Sequence, residues 1–342
     1  MEHFAIIDAL RKIGVNEVYV KIIENIYKNA TARIHLDNHI SEAFPIERGV
    51  RQGDPISPKL FTSAIEQVFQ KSNIKKGVDV EKETLKDLRF ADDVALTTRT
   101  AEEMEENLNR LNTESKKVGL KIHKGKTKYM TNYETSKSIK IEEETIEEVD
   151  EYKYLGQIVD LTQSMEDEID ARIMAAWSSF GRYKEILTDK ELPMSLKRKT
   201  MDQCILPKLT YSCETWAFTK ENLKKVRTAQ RAMERRMLGL TLLDKVSCKK
   251  IREKTGVRDA LEYILRMKWR WAGHIGRMSD NRWTQRCTFW DIHTTRRIGR
   301  PRTEWATDIV KYAGPDWRER CQDRRQWRVL AEGYIQQWTN IA

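Results

Sequence analysis

Asp92 and Asp93 stand side by side in LRFADDVAL, residues 88–96, between two apolar, strand-like runs. Two carboxylates at the tip of a hairpin repel each other unless a cation shares them. Oxygen-only ligands suit Mg²⁺, which takes one or two carboxylates and completes its shell with water and substrate phosphates. A pair of such ions clamps the attacking and leaving oxygens in phosphoryl transfer. The pair therefore reads either as a Mg²⁺ site for nucleotidyl transfer or as an ordinary solvated acidic turn.

An acidic tip of this kind needs strands behind it and helices to hold the strands. LKDLRF-ADD-VALTT predicts a strand, a tight turn and a second strand. Helical spacing predicts amphipathic helices over 2–12 and 16–29, the second with Val18, Ile22, Ile26 and Asn29 on one stripe. TARIHLDNHISEAFPIE alternates about Asp37-Asn38 and predicts a hairpin. RGVRQGDPISP is a loop running into a helix that continues to about Gln70, with Asp54 as its cap and Pro55 in its first turn. Residues 101–118 predict a helix, with Thr100 as N-cap and Glu103 completing a capping box. GLKIHKGKTKYM predicts a strand pair with a Lys-rich connection, and YKYLGQIV another short strand. From about Ser164 the pattern is helical almost to the end, broken at Leu192-Pro193, Pro207, Gly239, Gly256 and RRIGRPRTEW, residues 296–305. The order is α+β first, then all-α.

With 342 residues there is room for two or three domains. No apolar run approaches the length of a membrane span, and the first residues lack a signal-peptide pattern. Five scattered cysteines without C-x-x-C spacing fit reduced thiols in cytoplasm or nucleus. The net charge of +10 is uneven: residues 181–342 hold 36 Lys and Arg against 19 Asp and Glu, whereas residues 1–180 hold 26 against 33. Nine of the ten tryptophans also lie in the basic half, where core packing accounts for most of them. A basic half joined to an acidic one points to a polyanion partner, with a solvated helical surface as the plain alternative.

Four motifs, in order, resemble the reverse transcriptases of non-LTR retrotransposons. GVRQGDPISPKLF at 49–61 is similar to their loop and helix before the active site, and FADD at 90–93 to the catalytic F/Y-A-D-D box. GLKIHKGKTKYM at 119–130 is similar to the following lysine motif, and YKYLG at 152–156 to the primer grip. ILPKLTYSCETWAFT and KWRWAGHIGRMSDNRWTQR…GRPRTEW resemble the region downstream of the polymerase. The resemblance implies Asp92 as a direct Mg²⁺ ligand and Asp93 as its neighbour or support. It implies Lys126 near the pyrophosphate leaving group, where a cation neutralises developing charge or donates a proton. In RQGDP, Arg51 offers a fork for phosphate, Gln52 can donate and accept along a base or sugar edge, and Gly53 lets the backbone approach nucleotide or template. Tyr154, Leu155 and Gly156 would touch the primer end, although sheet core explains Tyr154 and Leu155 equally well. The implied partners are an RNA template and a DNA primer.

The family's active site uses a third carboxylate, in a motif resembling D-x-x-K-A-F-D that precedes EHFAIIDALRKIGV in family order. The chain starts at Met1, at or just past the end of that motif, and Asp8 lies in a helical pattern without its flanking residues. Two ions need about three carboxylates to fix their geometry. The expectation is an N-terminally truncated reverse transcriptase, lacking fingers and the first catalytic Asp, with only weak Mg²⁺ binding and no activity as an isolated chain. A sheet short of one central strand would also leave unpaired edges and exposed apolar side chains.

The expected organisation is a partial palm over 1–160, a thumb-like helical region over 161–240 and a basic, Trp-rich helical region over 241–342. KELPMSLKRKT and TKENLKKVRTAQRAMERR read as helices with basic exposed faces, and Lys197, Arg198 and Lys199 as exposed phosphate ligands. Gly299-Arg300-Pro301 resembles the core of a minor-groove AT hook, but an ordinary basic loop is the favoured reading of it. Cys287, His293 and Cys321 are too irregular for a zinc knuckle, so no zinc is expected. A polymerase fragment and a nucleic-acid-binding remnant without chemistry both remain open.

Overall fold

The computed structural model describes residues 1–80, 82–133, 137–161, 165–280, 282–290 and 304–339. They fall into two compact units, Met1–Leu155 and Gly156–Ala342. The first mixes helices with short strands and the second is helical. No helix among the described residues is long and apolar enough to cross a membrane.

The first unit is built around helix His3–Lys12, whose Ile6, Ile7 and Leu10 pack with Val20 and Tyr27 of helix Glu17–Lys28 and Leu60 of helix Ser57–Ser72. A second cluster joins Ala5 to Val68, Phe69 and Leu111, the last on helix Ala101–Lys117. The helices start where side-chain caps allow. Asn16 accepts from Val18 N–H, and Thr100 from Glu103 N–H. The capping box is displaced by one residue, since Glu103 accepts from Arg99 N–H. Asp54 accepts from Ile56 N–H, and the helix begins at Ser57 with Pro58, not Pro55, in its first turn. The stripe expected to be core on helix 17–28 faces outward: Val18, Ile22 and Ile26 are exposed, and Val20 and Tyr27 are buried.

No strand exceeds four residues, and each pairs with one partner, so a continuous palm sheet is not formed among the described residues. The hairpin about Asp37 is present, with His35↔Ile40 and Leu36↔His39 in register. Strands Asp87–Phe90 and Asp93–Leu96 form the expected acidic hairpin. Its Leu88 and Phe90 are exposed, as a ladder with unpaired edges would leave them. The strand pair expected over 119–130 is corrected. Lys126 and Thr127 N–H turn back to the His123 carbonyl, and the one strand formed, Lys128–Tyr129, runs parallel to Glu147–Glu148.

In the second unit a single apolar core runs from Ile169 to Ile335. It is enclosed mainly by helices Met165–Arg182, Lys220–Met237, Ala260–Gly276 and Arg324–Thr339. Gly239 and Gly256, at φ +67° and +59°, end helices as expected. Pro207 does not break the chain's helical course. A wider π turn at Met201–Ile205 leads into Leu206–Leu209, and the missing proline N–H falls in a first turn that needs none. All ten tryptophans are at least partly buried, and Trp216, Trp269, Trp317 and Trp327 fully so.

Candidate functional site

Phe90 pairs with Asp93, which leaves Ala91-Asp92 as a two-residue turn. Ala91 sits at φ +54°. A side chain in the left-handed region costs roughly 1–2 kcal/mol, and strain of this kind collects at functional turns. The turn exposes Asp92 at the tip and Asp93 at the start of the returning strand. Neither carboxylate has an ion pair or hydrogen bond with a described side chain.

The nearest arginine is directed elsewhere. Arg89 binds Glu66 and Asp87, each at 2.7 Å, and its guanidinium lies 4.2 Å above the Phe69 ring. These contacts fix the hairpin to helix 57–72, the continuation of the RQGDP loop. Tyr154 lies within electrostatic reach of Asp93. Its phenol is raised above the ordinary range, first by burial and then by that carboxylate. The structure thus brings the primer-grip tyrosine near the acidic hairpin and ties that hairpin, through Glu66, to the helix that continues the RQGDP segment.

The lysine motif is selective in its pairing. Lys124 binds Glu144 at 3.0 Å and Lys128 binds Glu147, whereas the exposed Lys126 amine has no carboxylate partner among the described residues. The Tyr152 hydroxyl donates to the Lys126 carbonyl at 3.3 Å and tethers that turn. Arg51 donates to the Ile26 carbonyl at 3.3 Å, and Gln52 and Gly53 are exposed. Gly53 stands at φ +89° with open space where a Cβ would be, so glycine is required there for conformation. Leu155 closes the first unit at φ +49°, and Gly156 opens the second at φ +82° with the Tyr211 ring 3.2 Å from its missing Cβ.

Asp8 is engaged elsewhere. It bonds Lys12 at 2.9 Å and Lys71 at 3.5 Å, and the Lys12 hydrogen bond holds its carboxyl below the ordinary range. Among the described residues no group of three His, Cys, Asp or Glu is placed to hold a metal. Asp92 and Asp93 are adjacent, exposed and without an ion pair among the described residues, oxygen donors of the type a hydrated divalent ion would use.

In the basic half the expected exposure of Lys197 is corrected. Its side chain is 4% exposed, with Nζ donating to the Met237 carbonyl at 3.4 Å. The short helix Met194–Thr200 turns this lysine's apolar stem into the core, and the amine meets the negative end of helix 220–237. Arg198 and Lys199 are exposed. Arg300, with Gly299, Pro301 and His293, lies outside the described residues. Not singled out from sequence is a cavity lined by Arg270, Trp271 and His274 of one helix and Arg324 and Arg328 of another. The i, i+1, i+4 spacing in RWAGH was its one local signal.

Residues 1–159 match the protein family described as Reverse transcriptase (RNA-dependent DNA polymerase). A transposon-derived protein of Caenorhabditis elegans is 32% identical over 271 residues, covering 72% of this chain and 95% of that protein. The Pol polyprotein from retrotransposable element R2 of Nasonia vitripennis is 29% identical over 171 residues, 46% of this chain. That from element R2DM of Drosophila melanogaster is 29% identical over 168 residues, also 46%. The matches span 17% and 16% of these two polyproteins.

Proposed function

The chain belongs to the reverse transcriptase (RNA-dependent DNA polymerase) family, in its non-LTR retrotransposon branch, and on that premise we propose that it holds an RNA template and DNA primer without extending the primer as an isolated chain. The observation that carries this reading is the pair Asp92 and Asp93, unpaired at a strained hairpin tip beside Tyr154, with no third carboxylate joining them among the described residues.

Asp92, at the tip, would hold a Mg²⁺ ion directly, and Asp93 would support it from the strand. The ion, when bound, supplies Lewis-acid neutralisation of phosphate charge. Lys126, without a carboxylate partner among the described residues, is the cation for a leaving phosphate. Arg51, Gln52 and Gly53 border the template or incoming nucleotide, and Tyr154, Leu155 and Gly156 the primer end. The family's polymerase uses a third carboxylate, so two suffice to bind an ion and not to fix the reacting pair of oxygens. Residues 1–160 then act as partial palm, 161–240 as thumb-like region and 241–342 as basic region.

A second reading is a nucleic-acid-binding remnant with no chemistry in any assembly. The exposed basic face at Arg198 and Lys199 favours it. A DNA primer annealed to an RNA template tests both. A complex that leaves the primer its original length in Mg²⁺ and dNTPs supports the first reading, provided that adding a chain which supplies a third carboxylate restores extension; if extension stays absent, the second reading stands.

A further inference from the structure

We infer that the cavity between helices Ala260–Gly276 and Arg324–Thr339 is a binding site for single-stranded nucleic acid, gripping phosphate with arginines and stacking one base on Trp271. The inference takes its ligand class from the proposed template-and-primer role and its location from the cavity alone.

The cavity has a volume of about 380 Å³, within the range of nucleotide-sized sites. Four arginines line it: Arg270 from the first helix, Arg277 just past that helix's end, and Arg324 and Arg328 from the second. None forms a salt bridge with a described carboxylate. Among the described residues Arg270 has one hydrogen bond, to the Met267 sulfur at 4.0 Å, and Arg277 one, to the Cys321 carbonyl at 2.8 Å. Glu214 is the one carboxylate on the wall, four guanidiniums to one. Burial depresses the Arg277 guanidinium below its ordinary range, Cys321 opposes this, and the charges of Arg324 and Arg328 add smaller lowering contributions. An anion would relieve that mutual repulsion, and guanidinium forks match phosphate oxygens in geometry.

Folding alone does not account for this placement. Helix 324–339 opens on Arg324 and Arg325 with no acidic residue in its first turn, the end where cations are disfavoured, although Asp323 caps Arg325 N–H. The opposing helix carries Gly273 at the contact, where a Cβ would lie 2.4 Å from the Trp327 indole nitrogen. The missing Cβ lets the Trp327 indole pack directly on that helix, so the two arginine-bearing segments approach closely.

A free phosphate would use only a corner of this space. The half-buried Trp271 supplies the rest, its ring stacked on His274 with centroids 5.2 Å apart and 30° between planes. Aromatic faces beside a cationic groove hold unpaired bases in single-strand binders, whereas the bases of a duplex are already stacked.

The test uses the full chain and a fluorescent ten-nucleotide oligo(dT), with an abasic oligomer of equal length as second probe. Arg324→Gln/Arg328→Gln changes exposed positions and should weaken both probes on the order of tenfold, with an unchanged melting temperature. Trp271→Ala should weaken oligo(dT) on the order of tenfold, the worth of one stacked base, and leave the abasic oligomer unaffected. Equal loss of both probes in Trp271→Ala would overturn the base-stacking assignment. Wild-type affinity in the arginine variant, with template–primer still bound, would overturn the site while sparing the proposed function. Failure of the wild-type chain to bind any nucleic acid would defeat the proposed function itself.

Discussion

The indole nitrogens of Trp269 and Trp327 each donate to the other's backbone carbonyl, at 2.8 and 3.0 Å, across rings stacked 4.0 Å apart. This reciprocal pair satisfies two buried donors at once and fixes the spacing of the two helices that carry the arginine-lined cavity. Gly273 makes the spacing possible. Gly273→Ala would drive a methyl group into the Trp327 ring and should cost roughly 1–3 kcal/mol. Chemical denaturation of the second unit, followed by tryptophan fluorescence, checks this. An unchanged midpoint would show that the helices can move apart freely.

Asp259 should make the second unit acid-sensitive. Burial raises its carboxyl, but the Glu262 N–H, Arg252 and Arg231 outweigh burial and hold it below the ordinary range. A depressed folded-state value contributes stability above the unfolded value, near pH 4, and that stability is lost as pH falls through the folded one. Asp259→Asn should therefore be less stable than wild type at neutral pH, with the difference shrinking below about pH 4. A constant difference from pH 7 to pH 3 would count against it.

Much of this frame was legible in the sequence because it is locally determined. Thr100 announces a helix start through its own side chain, and the ADD turn announces a hairpin through its two apolar flanks. Burial direction was less legible. Val18, Ile22 and Ile26 repeat at helical spacing, yet the partner helices press on Val20 and Tyr27, one face away. Lys197 was misread for the same reason, since charge suggests solvent while a long apolar stem permits burial. In 119–130 the sequence reads as a strand pair with a Lys-rich connection, but Thr127 N–H closes on the His123 carbonyl before a ladder can form. The arginine cavity draws on distant helices, and no local pattern could report that they meet.

Divalent cations should stabilise the first unit through Asp92 and Asp93. Their repulsion is unrelieved by any described side chain, so millimolar Mg²⁺ should raise the melting temperature of wild type. Asp92→Asn/Asp93→Asn should respond less. Equal responses would refute the site.

The exposed basic face should set the salt dependence of nucleic-acid binding. With about six phosphates neutralised, affinity falls roughly a thousandfold between about 50 and 200 mM salt. Arg198→Gln/Lys199→Gln should flatten the log–log slope by up to about two while the fold persists, whereas Lys197→Gln should lower the melting temperature, because its amine is buried against the Met237 carbonyl. A parallel slope in the double variant would remove these two residues from the interface.

Primer extension tests the central claim most directly. The purified chain is mixed with a labelled DNA primer on an RNA template, all four dNTPs and Mg²⁺ or Mn²⁺, and both binding and primer length are read from the same samples. The account expects a saturable complex and no lengthening, because two carboxylates at a hairpin tip hold an ion without fixing both reacting oxygens. Extension above background that disappears in Asp92→Ala would contradict it, and would show that this chain completes its own polymerase site.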